Sequence, residues 1–369
     1  MKKRIRLGIL FGGRSGEHEV SLTSASSLLK VVDPAKYEVV PIGITREGRW
    51  LVGSTADKLL SQILTDGVPV TPSVVPGEAG LIPLRAGAAA EQAAIQVDVV
   101  FPVLHGTFGE DGTVQGVLEL AGIPYVGAGV LGSAVGMDKD VMKRLFRDAG
   151  LPVVPWMTVL RKDWEGDPVL VRRRIREEIG FPLFVKPANL GSSVGISKVR
   201  RPGGLGAALD LAAQYDRKIL IEKAVDAREI ECSVLGNDSP EASVPGEVVP
   251  VNEFYDYEAK YIKKGSQLII PAKLTPRQTK RVQELAVGAF RAIDCAGMAR
   301  VDFLLDRQTG KPFVNEINTI PGFTPISMYP KLWEASGIPY PRLVDRLVAL
   351  ALERHREKAR TRFHYQPGR

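Results

Sequence analysis

Residues 298–325 read MARVDFLLDRQTGKPFVNEINTIPGFTP, and few folds can accommodate them. Two apolar runs flank the polar turn DRQTGK, so the segment reads as a β-hairpin. Side chains alternate between faces along a strand. Arg300 and Asp302 therefore share one face of the first strand, and Glu316 and Asn318 share one face of the second. Pairing brings these four into one patch. Asp302, Glu316 and Asn318 are hard oxygen donors with no His or Cys among them, which selects Mg2+ or Mn2+ over zinc. The plain alternative is a salt-bridged sheet face with Arg300 paired to an acid.

A second constraint is FVKPANLGSSVGISKV, residues 184–199. An apolar run delivers Lys186 and a proline. A loop of glycine and serine follows, and a second β-like run resumes. Such a loop offers many backbone N–H groups and little bulk, the features that hold a phosphate. An ordinary hairpin with a glycine turn fits the same letters.

Around these segments, RIRLGILFGG is a β-run entering a glycine turn, and SLTSASSLLKVV has helical spacing. YEVVPIGIT and VDVVFPVLHG are further strands, an alternation that argues a parallel α/β domain. The Ala-, Gly- and Pro-rich stretch 71–96 reads as a surface insertion. A helix is expected at 139–149, closed by Gly150, and another at 275–294. Strands dominate from 228 onward. The expected organisation is an N-terminal α/β domain over 1–127, a central unit over 128–222 carrying the loop 187–195, a C-terminal unit over 223–352 carrying the metal site, and a basic tail over 353–369.

Several function classes are excluded. The glycines at 12, 13 and 16 do not make G-x-G-x-x-G, and the second strand ends in Gly43, Ile44 and Thr45 where a ribose-binding acid would be expected. There is no G-x-x-x-x-G-K-[ST], and DF at 302–303 is not followed by glycine, so P-loop and protein-kinase readings fail. Cys232 and Cys295 have neither zinc nor disulfide spacing and read as reduced core residues of a cytoplasmic protein. The apolar N-terminal run ends at Arg14 without a cleavage-like site, and Gly116–Met137 is interrupted by Glu119 and Pro124, so neither a signal peptide nor a membrane span is expected. The net charge is +7, of which the tail ERHREKARTRFHYQPGR holds six Arg/Lys and two Glu, or +4. That tail reads as a frayed, solvated helix end, and no nucleic-acid partner is expected.

GEHEVSL at 16–22, HGTFGEDGTVQG at 105–116, KPANLGSSVG at 186–195, YDYEAKY at 255–261, RVDF at 300–303 and NEINTIPGFTPISMYP at 315–330 keep their order along the chain. Together they resemble the D-alanine–D-alanine ligase family of ATP-grasp enzymes, from about residue 5 to 350. The resemblance implies an ATP-grasp fold of class α/β, with α+β character in the C-terminal part. It implies ligation of two D-alanines with ATP cleavage through an acyl phosphate, two Mg2+ (or Mn2+), and a homodimer. Lys139 and Lys186 match the phosphate-holding lysines. Glu222, Lys223 and Val225 match the adenine-reading segment, and Glu229 matches the ribose ligand. Ser193, Phe254 and Lys260 match further ATP contacts, and Asp302, Glu316 and Asn318 match the metal ligands. Glu17 matches the acceptor of the first D-alanine's ammonium, in a hydrogen-bonded network with Ser192 and Tyr261, and His105 lies near that substrate. Arg300 and the backbone of Gly322 match the oxyanion site, while Ser327 and Met328 hold the second carboxylate. After Tyr261 the chain reads IKKGSQLIIPAKL, which departs from the family's more acidic pattern at Lys263, Lys264 and Ile270.

Overall fold

The computed structural model describes residues 3–53, 60–75, 80–84, 94–250 and 267–362. The first sheet contains β1 (Ile5–Gly12), β2 (Tyr37–Ile44), β3 (Trp50–Val52), β4 (Val68–Pro72), β5 (Leu81–Pro83) and β6 (Val99–Pro102), in the order β5-β4-β3-β2-β1-β6. Strand β1 lies parallel to β2 and to β6. It is almost wholly apolar and buried, as a central parallel strand must be. The expectation of a parallel domain holds for these three strands only, because β2 to β5 run antiparallel. The five-residue connection 45–49 is a hairpin turn, too short for the crossover that a parallel partner needs. The stretch expected as a surface insertion adds β5 to the sheet, with Leu81 buried.

Helices α1 (His18–Leu29), α2 (Leu60–Asp66) and α3 (Thr113–Leu120) cover this sheet. Gly12 and Gly13, at φ of 90° and 100°, turn the chain from β1 into α1. Ser21 accepts from the Gly12 N–H at 2.8 Å and donates to the Val103 carbonyl at 2.6 Å. This buried hydroxyl pins α1 to the carboxyl ends of β1 and β6, the edge where open α/β sheets bind ligands.

Helices α4 (Val130–Met137) and α5 (Lys139–Asp148) lead into the second sheet. Its strands are β7 (Trp156–Leu160), β8 (Leu183–Pro187), β9 (Ser197–Val199) and β10 (Lys218–Lys223), all antiparallel, in the order β7-β10-β8-β9. Helices α6 (Arg161–Gly166), α7 (Pro168–Glu178) and α8 (Leu205–Tyr215) accompany it, over a separate core that includes Ile175, Leu183, Leu209 and Ile219. The Asp138 carboxylate caps α5 by accepting from the N–H groups of Asp140 and Val141, and Gly150 follows the helix at φ 72°.

The third sheet holds β11 (Ala227–Gly236), β12 (Glu241–Ala242), β13 (Gly246–Val249), β14 (Gln267–Ile269), β15 (Gly297–Asp306) and β16 (Pro312–Asn318). Its main path is β14-β13-β11-β15-β16. Helix α9 (Pro276–Ala292) begins at a Thr275/Gln278 capping box and buries Val282, Leu285, Ala286, Ala289 and Phe290, the one-faced spacing of an amphipathic helix. Helices α10 (Met328–Ala335) and α11 (Tyr340–Lys358) complete the chain. Among the described residues no helix is long and apolar enough to cross a membrane.

Helix α11 crosses the expected start of the basic tail at 353. Its apolar side, Leu343, Val344, Leu347, Val348 and Ala351, joins the core of the first sheet. Its last turns are anchored, not frayed. Arg354 donates to the carbonyls of Gly127 and Tyr125 and lies 4.5 Å from the Tyr125 ring centroid, and Lys358 pairs with Glu119. Arg354 and Lys358 are four apart and share a helix face, so charges that look solvated in the sequence meet the first domain instead. We expect Arg354→Ala to lower stability by about 1–3 kcal/mol, since two carbonyls lose a charged donor. Urea unfolding checks this, and an unchanged midpoint would show that the clamp contributes nothing.

Candidate active site

Glu17 occupies the N-cap position of α1 but makes no side-chain capping bond. Its carboxylate accepts a hydrogen bond from Ser192 in the β8–β9 loop. The surrounding backbone leaves room for nothing larger. A Cβ added at Gly106 would lie 2.7 Å from Glu17 Oε2, and one at Gly191 3.1 Å. The approach is fixed from behind, where Ser15 donates to the His105 carbonyl at 2.8 Å and accepts from the Glu17 N–H at 3.1 Å.

His105 is buried with both ring nitrogens engaged. Nε2 is 3.0 Å from Ser24 Oγ, and Nδ1 is 3.2 Å from the Ile320 carbonyl and 3.9 Å from Glu110. Burial opposes protonation of His105, but Glu110, Glu17 and the Ile320 carbonyl together outweigh it and hold the pKa above the ordinary histidine value. Burial likewise raises Glu110 above the usual carboxylate range. An imidazole so occupied supports the site and is not poised as a general base.

The loop between β8 and β9 places Ser192, Ser193 and Gly195 at φ of 53°, 58° and 72°. It is tethered at three points. Asn189 donates through its backbone and side-chain nitrogens to Asp216 at 2.8 and 3.0 Å, Lys139 donates to the Leu190 carbonyl at 2.8 Å, and Ser192 donates to Glu17. On one side lies a cavity of 630 Å3, lined by Glu17, His105, Arg300, Gly322, Ser327 and Met328 among others. On the other lies a cleft of 640 Å3, lined by Lys186, Ser193, Val225, Glu229, Asp302 and Glu316 among others. Arg300, Glu231 and Glu316 line both.

That shared wall is the carboxylate hairpin. In the β15–β16 register Arg300 faces Asn318 and Asp302 faces Glu316, with an irregularity after Asp302. Arg300 donates from Nε and Nη2 to the two Asp302 oxygens, each at 2.7 Å, and its Nε is 2.9 Å from Glu231 on β11. The two readings left open by the sequence are therefore both present: an arginine paired with acids, and a face of hard oxygen donors. Although burial opposes its charge, Asp302 and Glu231 keep the Arg300 pKa well above normal. Among the described residues no three His, Cys, Asp or Glu side chains form a metal-binding group by themselves. A carboxylate pair with an amide still suits Mg2+, which keeps waters and takes substrate phosphates as its other ligands.

Other expected residues have clear places. Ser327 Oγ accepts from the Thr324 N–H at 3.0 Å and is 2.8 Å from the Thr324 hydroxyl. A Cβ at Gly322 would meet that oxygen at 2.7 Å. Met328, at the start of α10, packs its side chain with Val248 and Leu332 and lines the cavity. Lys223 Nζ donates to the Phe181 carbonyl at 3.2 Å. Phe254, Lys260 and Tyr261 lie outside the described residues.

Sequence reasoning missed three charged residues. Glu222 Oε2 is 2.5 Å from Lys186 Nζ, and Glu222 Oε1 is 2.5 Å from Nζ of Lys143, which the sequence reading did not single out. Burial works against ionising Glu222, yet the two lysines bring its pKa down to about 2. The available signal was that Lys143 stands four residues after Lys139 on one helix face. Glu231, two after Glu229, points to the same side of its strand. Glu110 sits in the turn after His105, where its side chain receives the Gly106 N–H at 3.0 Å.

A loop from one antiparallel sheet, lying against the oxygen-rich face of another across a cleft, defines the ATP-grasp class. Residues 6–128 match the family model described as D-ala D-ala ligase N-terminus, and residues 145–349 match that described as D-ala D-ala ligase C-terminus. The chain belongs to the D-alanine–D-alanine ligase family. It is 53% identical over 363 residues to the D-alanine–D-alanine ligase of Thermoanaerobacter sp. (strain X514), covering 98% of this chain and 99% of that one. It is 50% identical over 363 residues to that of Geobacillus kaustophilus, covering 96% of each. Among solved structures it is similar to the D-alanine–D-alanine ligase from Coxiella burnetii, with TM-score 0.85, 39% identity and 96% of each chain covered. It is also similar to the VanG D-Ala:D-Ser ligase from Enterococcus faecalis, with TM-score 0.84 and 37% identity, covering 95% of this chain and 100% of that one.

Gly106 tests the packing around Glu17, since it combines φ 73° with the close approach to that carboxylate. We expect Gly106→Ala to cost about 1–2 kcal/mol from the left-handed backbone alone. It should also displace Glu17 and loosen the 189–195 loop. Thermal melting and limited proteolysis at the loop check this, and a variant that melts and resists protease like the wild type contradicts it.

Proposed function

We propose that the chain catalyses ATP-dependent joining of two D-alanines to D-alanyl-D-alanine for peptidoglycan precursors, releasing ADP and phosphate. The observation that carries this reading is the shared wall: the small-substrate cavity and the nucleotide cleft meet at Arg300 and Glu316. Glu17 receives the ammonium of the first D-alanine. The carboxylate oxygen of that first D-alanine attacks the γ-phosphorus of ATP, the bond to the bridging oxygen breaks, and ADP leaves. The amine of the second D-alanine then attacks the acyl carbon. The oxyanion so formed is held by the Arg300 guanidinium and the Gly322 N–H. Collapse expels phosphate, and the amine loses a proton.

Both steps bring anions together, so the chemistry depends on preorganised positive charge. Lys139 and Lys186 supply it at the phosphates, with Ser193 and the loop amides. Asp302, Glu316 and Asn318 would hold two Mg2+ (or Mn2+), which supply charge neutralisation on the phosphate oxygens. Lys223, Val225 and Glu229 border the purine and ribose, with Phe254 and Lys260 as further contacts. Ser327 and the Met328 backbone receive the second carboxylate. By the family resemblance alone, Tyr261 would join the Ser192–Glu17 pair and favour an amine over a hydroxyl acceptor. The same reading takes the enzyme as a cytoplasmic homodimer, on the strength of its family resemblance.

Phosphate release from ATP, measured with a panel of D- and L-amino and D-hydroxy acids, tests the assignment. We expect release only with D-alanine present, because the loop over the cleft keeps water from the γ-phosphate. Rapid ATP hydrolysis that ignores D-alanine, or depsipeptide as the main product with D-lactate, would overturn it. A second expectation concerns Glu316→Gln. Loss of one carboxylate charge should reduce turnover at least about tenfold, the effect of about 1.4 kcal/mol at the transition state. Mn2+ binding in the presence of ADP should weaken in parallel, with the melting temperature retained. Near-normal metal affinity would remove Glu316 from the ligand set.

A further inference from the structure

Lys143 is buried to 1% exposure, yet it lines neither the cavity nor the cleft. It lies behind them. Its Nζ is 2.5 Å from Glu222 Oε1, and the other oxygen of that carboxylate is 2.5 Å from Lys186 Nζ. Two ammonium groups thus share one carboxylate, and Lys186 alone of the two lysines faces the cleft. A buried pair of one lysine and one glutamate would be neutral and would leave Lys186 little attraction for an incoming anion. The second lysine changes the sum. Burial and the Lys186 charge lower the Lys143 pKa, and the Glu222 carboxylate opposes them; with both lysines protonated the three-residue cluster carries one net positive charge at a place largely removed from water, where charge acts through a low effective dielectric.

We infer that Lys143 is a positioning residue for the nucleotide's phosphates: it occupies one oxygen of Glu222, so that Lys186 is held in place by Glu222 without being neutralised by it. The inference rests on the assignment of the cleft to ATP and deepens it. Lys143 itself touches no substrate. It acts through Glu222, and Lys139, one helical turn earlier on α5, serves the opposite flank by fixing the loop at Leu190. One helix face therefore sets both the floor and the lid of the phosphate site. Such a buried charge cluster is costly where no anion arrives, and a buried ion pair is weak support for folding in itself. A ligand of several negative charges makes the arrangement favourable.

The experiment compares the affinity of ATP and of adenosine by calorimetry for the wild type, Lys143→Met and Lys143→Arg, with thermal melting of each. Adenosine carries the base and ribose but no phosphate. We expect Lys143→Met to weaken ATP about tenfold or more, the scale of one charge acting at an effective dielectric near 20. Adenosine affinity should change less than about twofold, and Lys143→Arg should recover most of the ATP affinity. Equal weakening of ATP and adenosine by Lys143→Met, or unchanged ATP affinity in the folded protein, would overturn the inference and leave Lys143 a packing residue. Should Lys143→Met fail to fold, Lys143→Gln decides by the same comparison: it keeps a polar side chain beside Glu222 and removes the charge. A wild type that binds ATP no better than adenosine would instead overturn the cleft assignment itself.

Discussion

Everything in the site depends on the register of one antiparallel hairpin. Arg300 stands opposite Asn318 and Asp302 opposite Glu316. A slip of one residue along β16 would turn the polar set into the apolar core and bring Val314 and Ile317 outward. Register is strongly specified here because the far face of the hairpin is buried: Val301, Phe303, Val314 and Ile317 all belong to the core under α9. The hydrophobic effect on one side of the sheet thus fixes the electrostatics on the other. The third strand adds to this, since Glu231 on β11 pairs opposite Asp302 and closes the guanidinium of Arg300 between two carboxylates.

The charges on this wall are balanced in a particular way. Asp302 and Glu231 restrain Arg300 without leaving the neighbourhood negative, because Lys139 lies 3.8 Å from Glu316 and the Lys143–Glu222–Lys186 cluster lies beneath. A site that must accept phosphate groups and carboxylates at once needs cations held by acids, not cations free to collapse onto the first anion that enters. Anchoring acids cost attraction but supply geometry. The second lysine on Glu222 restores the attraction while the geometry stays.

The hairpin, the phosphate loop and most strands were legible in the sequence because their signals are local. Period-two alternation, a Gly/Ser loop after a strand and an N-cap before an apolar period each report on neighbouring residues. The misses required distant partners. Lys143 has the look of a solvated helix residue until β10 brings Glu222 beside it. Arg354 belongs to an apparently solvated basic run until Tyr125 and Gly127 appear against α11. The short turn at 45–49 was readable in length but not in consequence, so half of the first sheet came out antiparallel. Met328 and Ser327 follow a motif, yet only the structure separates a residue that turns its side chain into the core from one that offers its hydroxyl.

The loop over the cleft shows how local strain and distant contacts combine. Two consecutive serines in the left-handed region cost roughly 1–2 kcal/mol each relative to ordinary backbone. Within the loop the Val194 N–H donates to the Gly191 carbonyl at 3.3 Å. Contacts from three other parts of the chain work against that cost: Asp216 at the foot of β10, Lys139 at the start of α5, and Glu17 at the start of α1. A conformation maintained by contacts of separate origin weakens whenever one of them is withdrawn. On the proposed reading Glu17 also receives the first substrate's ammonium, which would link the loop's hold on the cleft, through Ser192, to occupancy of the cavity next door.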